Sequence, residues 1–227
     1  MIKERAEGLL TATFFDLSAF AHAGLFHGFH YPWEALLNLT SYLKKQKLGK
    51  IEVEIPEGVF LENAKAISIG AGTVIEPGAY IRGPCIIGAR CQIRHGAYIR
   101  GDLVAGDECI IGHATEVKHS ILLNKAIAAH FNYVGDSILG NGVNLGAGVV
   151  LANLRLDHAA VKVSYDGQKI ETTLKKLGAI IGDNAQIGCN TVLNPGTLVG
   201  KNSLISPSLN ISGYIPPFGK VKPTSKN

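Results

Sequence analysis

From Ile69 onward the chain repeats itself every six residues. It reads IGAGTV, IEPGAY, IRGPCI, IGARCQ, IRHGAY, IRGDLV, AGDECI, IGHATE, VKHSIL and LNKAIA. The hexads begin at Ile69, Ile75, Ile81, Ile87, Ile93, Ile99, Ala105, Ile111, Val117 and Leu123, and Ala105 alone is not a branched aliphatic. Four residues later the side chain is usually small, as at Thr73, Ala79, Cys85, Cys91, Ala97, Cys109 and Thr115. The pattern returns as LGNGVN and LGAGVV from Leu139, and as IGDNAQ, IGCNTV, LNPGTL, VGKNSL and ISPSLN from Ile181. A period of six is neither the helical 3.6 nor a long plain strand, although it contains short pieces of the period-2 strand signal. A short strand, a turn and a second strand at an angle satisfies it. Three hexads then close one triangular coil, with the aliphatic of each pointing inward onto its equivalent in the next coil. Coils joined in this way pair as parallel strands ~4.8 Å apart.

This pattern resembles the left-handed parallel β-helix family, an exception to right-handed crossovers. The resemblance supplies the handedness. Cys91 and Cys109 are eighteen residues apart and so stack one coil apart as small core residues. His95 and His113 share that spacing at an outward position and form a ladder.

Residues 1–50 lack the repeat. Pro32 precedes Trp33, and WEALLNLTSYLKKQ reads as a helix with Gly49 beyond its end. Ala35, Leu36, Leu39, Tyr42 and Leu43 form its apolar stripe, and LSAFAHAGLF is a weaker helix. The expected organisation is a helical segment over 1–50, a β-helix over 51–216 and a basic tail over 217–227. Two breaks interrupt the β-helix: a ten-residue step between Ala129 and Leu139, and an insertion over about 155–178. Inside the insertion, VKVSY and QKIET flank Asp166-Gly167 and predict a β-hairpin. The helical segment is expected to pack on the first coils, where open strand edges need cover.

Composition narrows the function classes. Charged residues are 18% of the chain, the net charge is +4 and aromatics are 7%, which gives neither a basic stripe nor stacking platforms for nucleic acid. The four cysteines form no CxxC, so neither a zinc ribbon nor a redox pair is expected, and no metal site is assigned. Glu4 and Glu7 interrupt the basic start, and no apolar run reaches the ~20 residues that span a bilayer. A reduced, cytoplasmic protein with no membrane partner is expected.

HFNYVGD (130–136), NLGAG (144–148), Asn153 and IIGDNAQIG (180–188) together resemble the acetyltransferase half of the bifunctional enzymes that make UDP-N-acetylglucosamine. The insertion NLRLDHAAVKV…KKLGAIIGD resembles the archaeal sugar-1-phosphate nucleotidylyltransferase/acetyltransferases more than the common bacterial form. The resemblance covers roughly 95–215, and YPWEALLNLTSYL (31–43) is similar to the helix that links the two halves in those proteins. It implies an acetyl-CoA-dependent N-acetyltransferase acting on an amino-sugar phosphate, glucosamine 1-phosphate first, as a homotrimer with sites between neighbours.

Acyl transfer to an amine needs a base and a donor aimed at the thioester oxyanion. Eight histidines are available, and only His130 falls in the ten-residue step where the register breaks. By resemblance His130 is the base, Asn153 lies near the reacting amine, and the Ala147 amide serves the thioester oxygen. Arg100 and Lys118 hold the sugar phosphate, Tyr133 and Asn144 contact phosphate and sugar, and Cys189 lies near the cofactor. Leu154 replaces the tyrosine of the bacterial form. The sugar-site lysine is missing near Ala159, where Lys162 can substitute. Lys220, Lys222 and Lys226 form an acid-free basic tail suited to the CoA phosphates. No LxxGxGxRxxP-like loop opens the chain, so uridylyltransferase chemistry is not expected. Two other classes stay open. One is a trimeric scaffold or regulatory subunit without activity. The other is a metalloenzyme of the γ-carbonic-anhydrase type, which shares IRGD (99–102) but needs a histidine set that His113 and His119 do not supply.

Overall fold

A computed structural model describes residues 7–223. Short strands form three parallel sheets of eight strands each. The chain visits them in rotation: Phe60–Glu62 begins face I, Ile67–Ile69 face II and Val74–Ile75 face III, and Tyr80–Arg82 returns to face I. On face I the inward residues Ile81, Ile99, Val117, Val134 and Leu151 stack in register. The equivalent columns of faces II and III complete one fully buried core. Each buried Ile, Leu or Val stabilises the fold by about 1.5–3 kcal/mol. The repeat thus acts as a continuous hydrophobic spine. Cys85, Cys91 and Cys109 line it as expected, and burial pushes the Cys85 thiol up to about 12.

The register departs from the hexads at the corner between faces I and II, and first does so one coil earlier than the sequence suggested. Leu122, rather than Leu123, pairs with Ala105 and enters the core. The corner between faces I and II has lost one residue there. It has lost one again between Val134 and Leu139, so Val134 lies seventeen residues after Val117. At these corners His119 and Asp136 take positive φ (45° and 46°) on their own, whereas the preceding coil uses the pair Gly101 and Asp102. The step between Ala129 and Leu139 is therefore no gap in the stack. His130 continues the ladder of His95 and His113, with its backbone paired to His113.

The displaced Leu123 points outward into a second core. Face II is apolar outside as well as inside: Ile86, Val104, Ile121, Ile138, Ile180, Leu198 and Tyr214 form a continuous outer stripe. The N-terminal segment covers it. Helix α1 (Thr11–Phe14) and helix α2 (Glu34–Lys45) bury Phe14, Trp33, Leu36, Leu39 and Leu43 against this stripe. Of LSAFAHAGLF, Ala23–Phe26 makes a single 3₁₀ turn. The Glu34 carboxylate accepts the His30 and Tyr31 N–H groups (both 2.8 Å) ahead of α2, and Lys44 and Lys45 sit in its last turn, which suits the helix dipole. The segment thus runs along face II instead of capping the first coils. The open end is closed by 50–59: Ile51 bridges to Ile69, and Val53, Ile55 and Val59 pack on the spine. The insertion contains the expected hairpin, Lys162–Tyr165 against Gln168–Glu171, with Asp166 and Gly167 both at positive φ. Among the described residues no helix is long and apolar enough to cross a membrane.

Polar groups fix the segment at both edges of face II. Asp183 accepts the Asp16 and Asn141 N–H groups (both 2.7 Å), and its own N–H donates to Phe14 O (2.9 Å). Burial raises the Asp183 carboxyl above its ordinary range. At the other edge His119 Nε2 lies 3.1 Å from Leu36 O, and Nδ1 lies 3.5 Å from Asp102. The hydrogen bond from His119 holds the Asp102 carboxyl below the usual aspartate range.

Two outcomes follow from this packing. Leu39→Ala removes a fully buried side chain and should lower unfolding free energy by about 2–5 kcal/mol in a urea titration. A depressed folded pKa contributes stability that is present above the unfolded value of ~3.9 and lost as pH falls through the folded value. The urea midpoint of the parent should therefore drop as pH falls below about 4, and Asp102→Asn should flatten that part of the decline.

Candidate functional site

On face I the residues flanking each inward aliphatic point out in two columns. Tyr98 and Arg100 flank Ile99, Glu116 and Lys118 flank Val117, and Tyr133 and Gly135 flank Val134. Arg100, Lys118 and Tyr133 thus come from three successive coils onto one face. Asn153 joins them from the next coil, where its side chain donates to Asp136. Asp136, 5% exposed, also accepts from Lys118 Nζ at 2.9 Å. Burial raises the Tyr133 hydroxyl above its ordinary range, so the phenol keeps its proton near neutrality. Arg100 meets Glu116 at 2.7 Å, so each cation of the cluster has a carboxylate beside it. Each also retains unused donors, because a guanidinium carries five and an ammonium three.

Gly135 explains how the cluster fits. A Cβ there would lie 2.7 Å from both Asn153 Nδ2 and Tyr133 Oη. Its φ is not positive, so a side chain here would strain no backbone angle but would push the ends of Asn153 and Tyr133 aside. Sequence reading missed both Gly135 and Asp136. Both stood in the motif HFNYVGD (130–136), but neither was given a role there.

The corner between faces III and I carries the second group. His130, Ala147 and Cys189 occupy equivalent places on three successive coils: Gly148 N–H donates to His130 O (3.0 Å), Asn190 N–H to Ala147 O (2.8 Å) and Ser208 N–H to Cys189 O (2.8 Å). The His130 side chain is exposed, and so is Cys189. Buried Asn132 locks this corner. Its Oδ1 accepts the His130 N–H (3.2 Å), and its Nδ2 donates to Gly146 O (2.7 Å). The Ala147 N–H has no acceptor among the described residues. This corner opens directly onto face I through Phe131 and Asn132 to Tyr133.

Four expected residues lie elsewhere. Asn144 is on face III, paired with Ile127 and Gln186. Lys220 closes the same sheet beside Leu204, and Lys222 follows it, exposed. Lys226 lies outside the described residues. Lys162 is in the hairpin, 2.6 Å from Glu171, and lines a cleft of about 460 Å³ with Arg155, Lys169, Asn194 and Ser212. Two rungs of face I, at Gly135 and Ala152, separate the Lys118 column position from Asn194. His113 and His119 stand on different corners, the first stacked on His95 and the second under α2. Among the described residues no three His, Cys, Asp or Glu side chains gather as a metal set.

Asp136→Ala should leave the Lys118 ammonium without its buried partner and destabilise the protein by about 3–5 kcal/mol in urea unfolding. Asp136→Asn, which keeps one oxygen acceptor, should cost less.

A family model described as the GMPPB C-terminal domain matches residues 81–173. An Escherichia coli protein described as uncharacterized acetyltransferase YaiX is 35% identical over 179 residues, covering 78% of this chain and 77% of its own. The bifunctional protein GlmU of Methanococcus aeolicus is 33% identical over 184 residues, 81% of this chain and 44% of that one. A bifunctional sugar-1-phosphate nucleotidylyltransferase/acetyltransferase of Sulfurisphaera tokodaii is 41% identical over 92 residues, 40% of this chain and 23% of its own. The chain therefore spans less than half the length of these bifunctional relatives. Among solved structures, UDP-N-acetylglucosamine acyltransferase from Campylobacter jejuni superposes with a TM-score of 0.51 at 18% identity, over 74% of this chain and 69% of that one. The shared architecture is the left-handed parallel β-helix.

Proposed function

Because the chain belongs to the hexapeptide-repeat, left-handed β-helix acetyltransferases, we propose that it carries the acetyl group of acetyl-CoA to the amine of an amino-sugar phosphate, with glucosamine 1-phosphate the expected acceptor. One observation carries this reading. His130, Ala147 and Cys189 fall on one corner, and Arg100, Lys118, Tyr133 and Asn153 fall on the face beside it. A base, an unpaired amide donor and a phosphate-sized set of cations thus border one another.

In this reading the sugar lies on face I, with its phosphate on the free donors of Arg100 and Lys118 and its ring beside Tyr133. Asn153, held by Asp136, orients the amine. His130 takes the proton that the amine sheds as its nitrogen attacks the thioester carbonyl. Negative charge develops on the carbonyl oxygen, where the Ala147 N–H can donate; one fixed donor of this kind is typically worth about 10²–10³ in rate. The carbon–sulfur bond then breaks, and the CoA thiolate leaves and takes up a proton. The corner ladder continues from Ala147 past Cys189, giving the pantetheine arm a track parallel to the axis. Lys220 and Lys222, at the end of face III, lie toward the phosphates. Asn144 faces away from Tyr133 within one chain. A homotrimer that sets face III of a neighbour against face I would supply Asn144 to the site. Free cysteines suit a cytoplasmic setting.

A thiol-release assay with acetyl-CoA and a panel of amino-sugar phosphates tests the reading. His130→Ala should lose about 10²–10⁴-fold in kcat while the melting temperature holds, since the side chain is exposed. His130→Asn should behave alike, because it cannot take the proton. Full activity in His130→Ala would sink the mechanism; an inert parent would favour the scaffold reading. Gly135→Ala should spread Tyr133 from Asn153 and cut kcat/KM for the acceptor by about ten- to hundredfold.

A further inference from the structure

The hairpin of the insertion has two unlike sides. Alternation along Lys162–Tyr165 sends Val163 into the second core, where Ile170 of the opposing strand joins it. Lys162, Ser164 and Lys169 therefore share the other side, with Ser164 directly opposite Lys169. That side forms one wall of the cleft of about 460 Å³, which Arg155, Asn194 and Ser212 also line. Gly196 lets the hairpin lie close to the coils: a Cβ there would stand 2.8 Å from Val161 Cγ1 and 3.0 Å from Lys162 O.

The cleft is built of donors. Among the described residues three cations line it, and neither a carboxylate nor an aromatic ring does. Asp157 accepts from Arg155 Nε (2.8 Å) and Nη2, which fixes the guanidinium and leaves Nη1 unused. Glu171 holds Lys162 Nζ at 2.6 Å, and the ammonium keeps its other protons. Lys169 has no ion-pair partner among the described residues. Ser212 Oγ accepts from Asn194 Nδ2 (2.9 Å), so its own proton is free to donate. Cationic and hydroxyl donors of this kind suit phosphoryl oxygens, and without a ring there is nothing for a base to stack on. Lys162 and Lys169 occupy diagonal positions of the pair, ~7–8 Å apart, a span that suits two phosphoryl groups better than one. The acceptor cations are elsewhere. Asn194 lies three steps along face I from Lys118, about 14 Å at ~4.8 Å per rung.

We propose that the hairpin cleft is a second anion site, separate from the acetyl-transfer site, that takes a small non-aromatic ligand with two phosphoryl groups. It shares no residue with the cluster of Arg100, Lys118 and Tyr133, so it stands whether or not that cluster transfers acetyl groups. The ligand touches the hairpin through Lys162 and Lys169 and the last coils through Ser212. It fastens the insertion to the C-terminal end of the β-helix, and its binding is thereby linked to stability.

Inorganic pyrophosphate is the probe, titrated into the whole chain by calorimetry at one fixed salt concentration. It should bind about tenfold or more tightly than inorganic phosphate and should raise the melting temperature. Lys169→Gln should weaken pyrophosphate by about tenfold, and Lys169→Glu should abolish its binding. Ser164→Asp, which puts a negative charge on the same wall, should act like Lys169→Glu, with circular dichroism confirming that the variants stay folded. Lys175→Gln removes an equal charge from the same insertion, outside the cleft, and should change affinity by less than about twofold. Arg100→Gln should do the same. A hexose bisphosphate that binds more tightly than pyrophosphate, with the same need for Lys169, supports an organic ligand; equal or weaker binding supports the inorganic anion. A loss in Lys175→Gln as large as that in Lys169→Gln means that net charge alone attracts the anion, and overturns the site. A loss in Arg100→Gln with none in Lys169→Gln puts the anion on face I and overturns it too. If pyrophosphate binds no better than phosphate, the ligand with two phosphoryl groups is wrong.

Discussion

The stacking of one inward aliphatic on the next, coil after coil, governs everything else in this molecule. It is hydrophobic burial with a register attached. Because Ile99, Val117 and Val134 superpose, the residues beside them must superpose too. Chemistry placed at one hexad position therefore becomes a straight column on the outside, with a spacing set by backbone hydrogen bonds rather than by side-chain packing. Residues scattered from Arg100 to Asn153 meet on one face for that reason, without a loop to gather them.

The surface built in this way is electrically quiet. Arg100 and Lys118 each have a carboxylate at hydrogen-bond distance, so the site presents oriented donors more than net charge. That suits a ligand recognised by geometry. It also makes the carboxylates structural parts of the site: Asp136, nearly buried between Lys118 and Asn153, fixes two side chains that must otherwise find their own positions.

Much of this was legible in the residues alone. The six-residue period identified the coil and the inward cysteines, and the alternation about Asp166-Gly167 identified the hairpin, because each depends on local pattern. The pattern failed where one residue was removed from a corner. VKHSIL fits the hexad as letters, yet His119 turns the chain alone, and Leu122 takes the place that counting assigns to Leu123. His130 was singled out for lying at a break, but the residue lost there falls after it, between Val134 and Leu139, and its exposure comes from the corner it shares with His95 and His113. Asp136, Asn132 and Gly135 were missed because their importance lies in contacts between coils. Sequence spacing places a residue on a face, but does not say which polar group its neighbour seventeen residues away will need.

A solenoid in which each coil touches only its neighbours is, in effect, a one-dimensional chain of weakly linked units, free to fray from either end. The N-terminal segment changes that arithmetic. Lying along face II, it touches the coil of Ile86 and the coil of Leu198 alike, and it is fastened at Asp183 on one edge and at His119 on the other. Coils that never meet one another therefore share a common partner. Opening any middle coil means peeling the segment away, which exposes the outer stripe over all of them. Local melting becomes a collective event, and the corner that carries His130 is kept rigid by a strap on the opposite side of the prism.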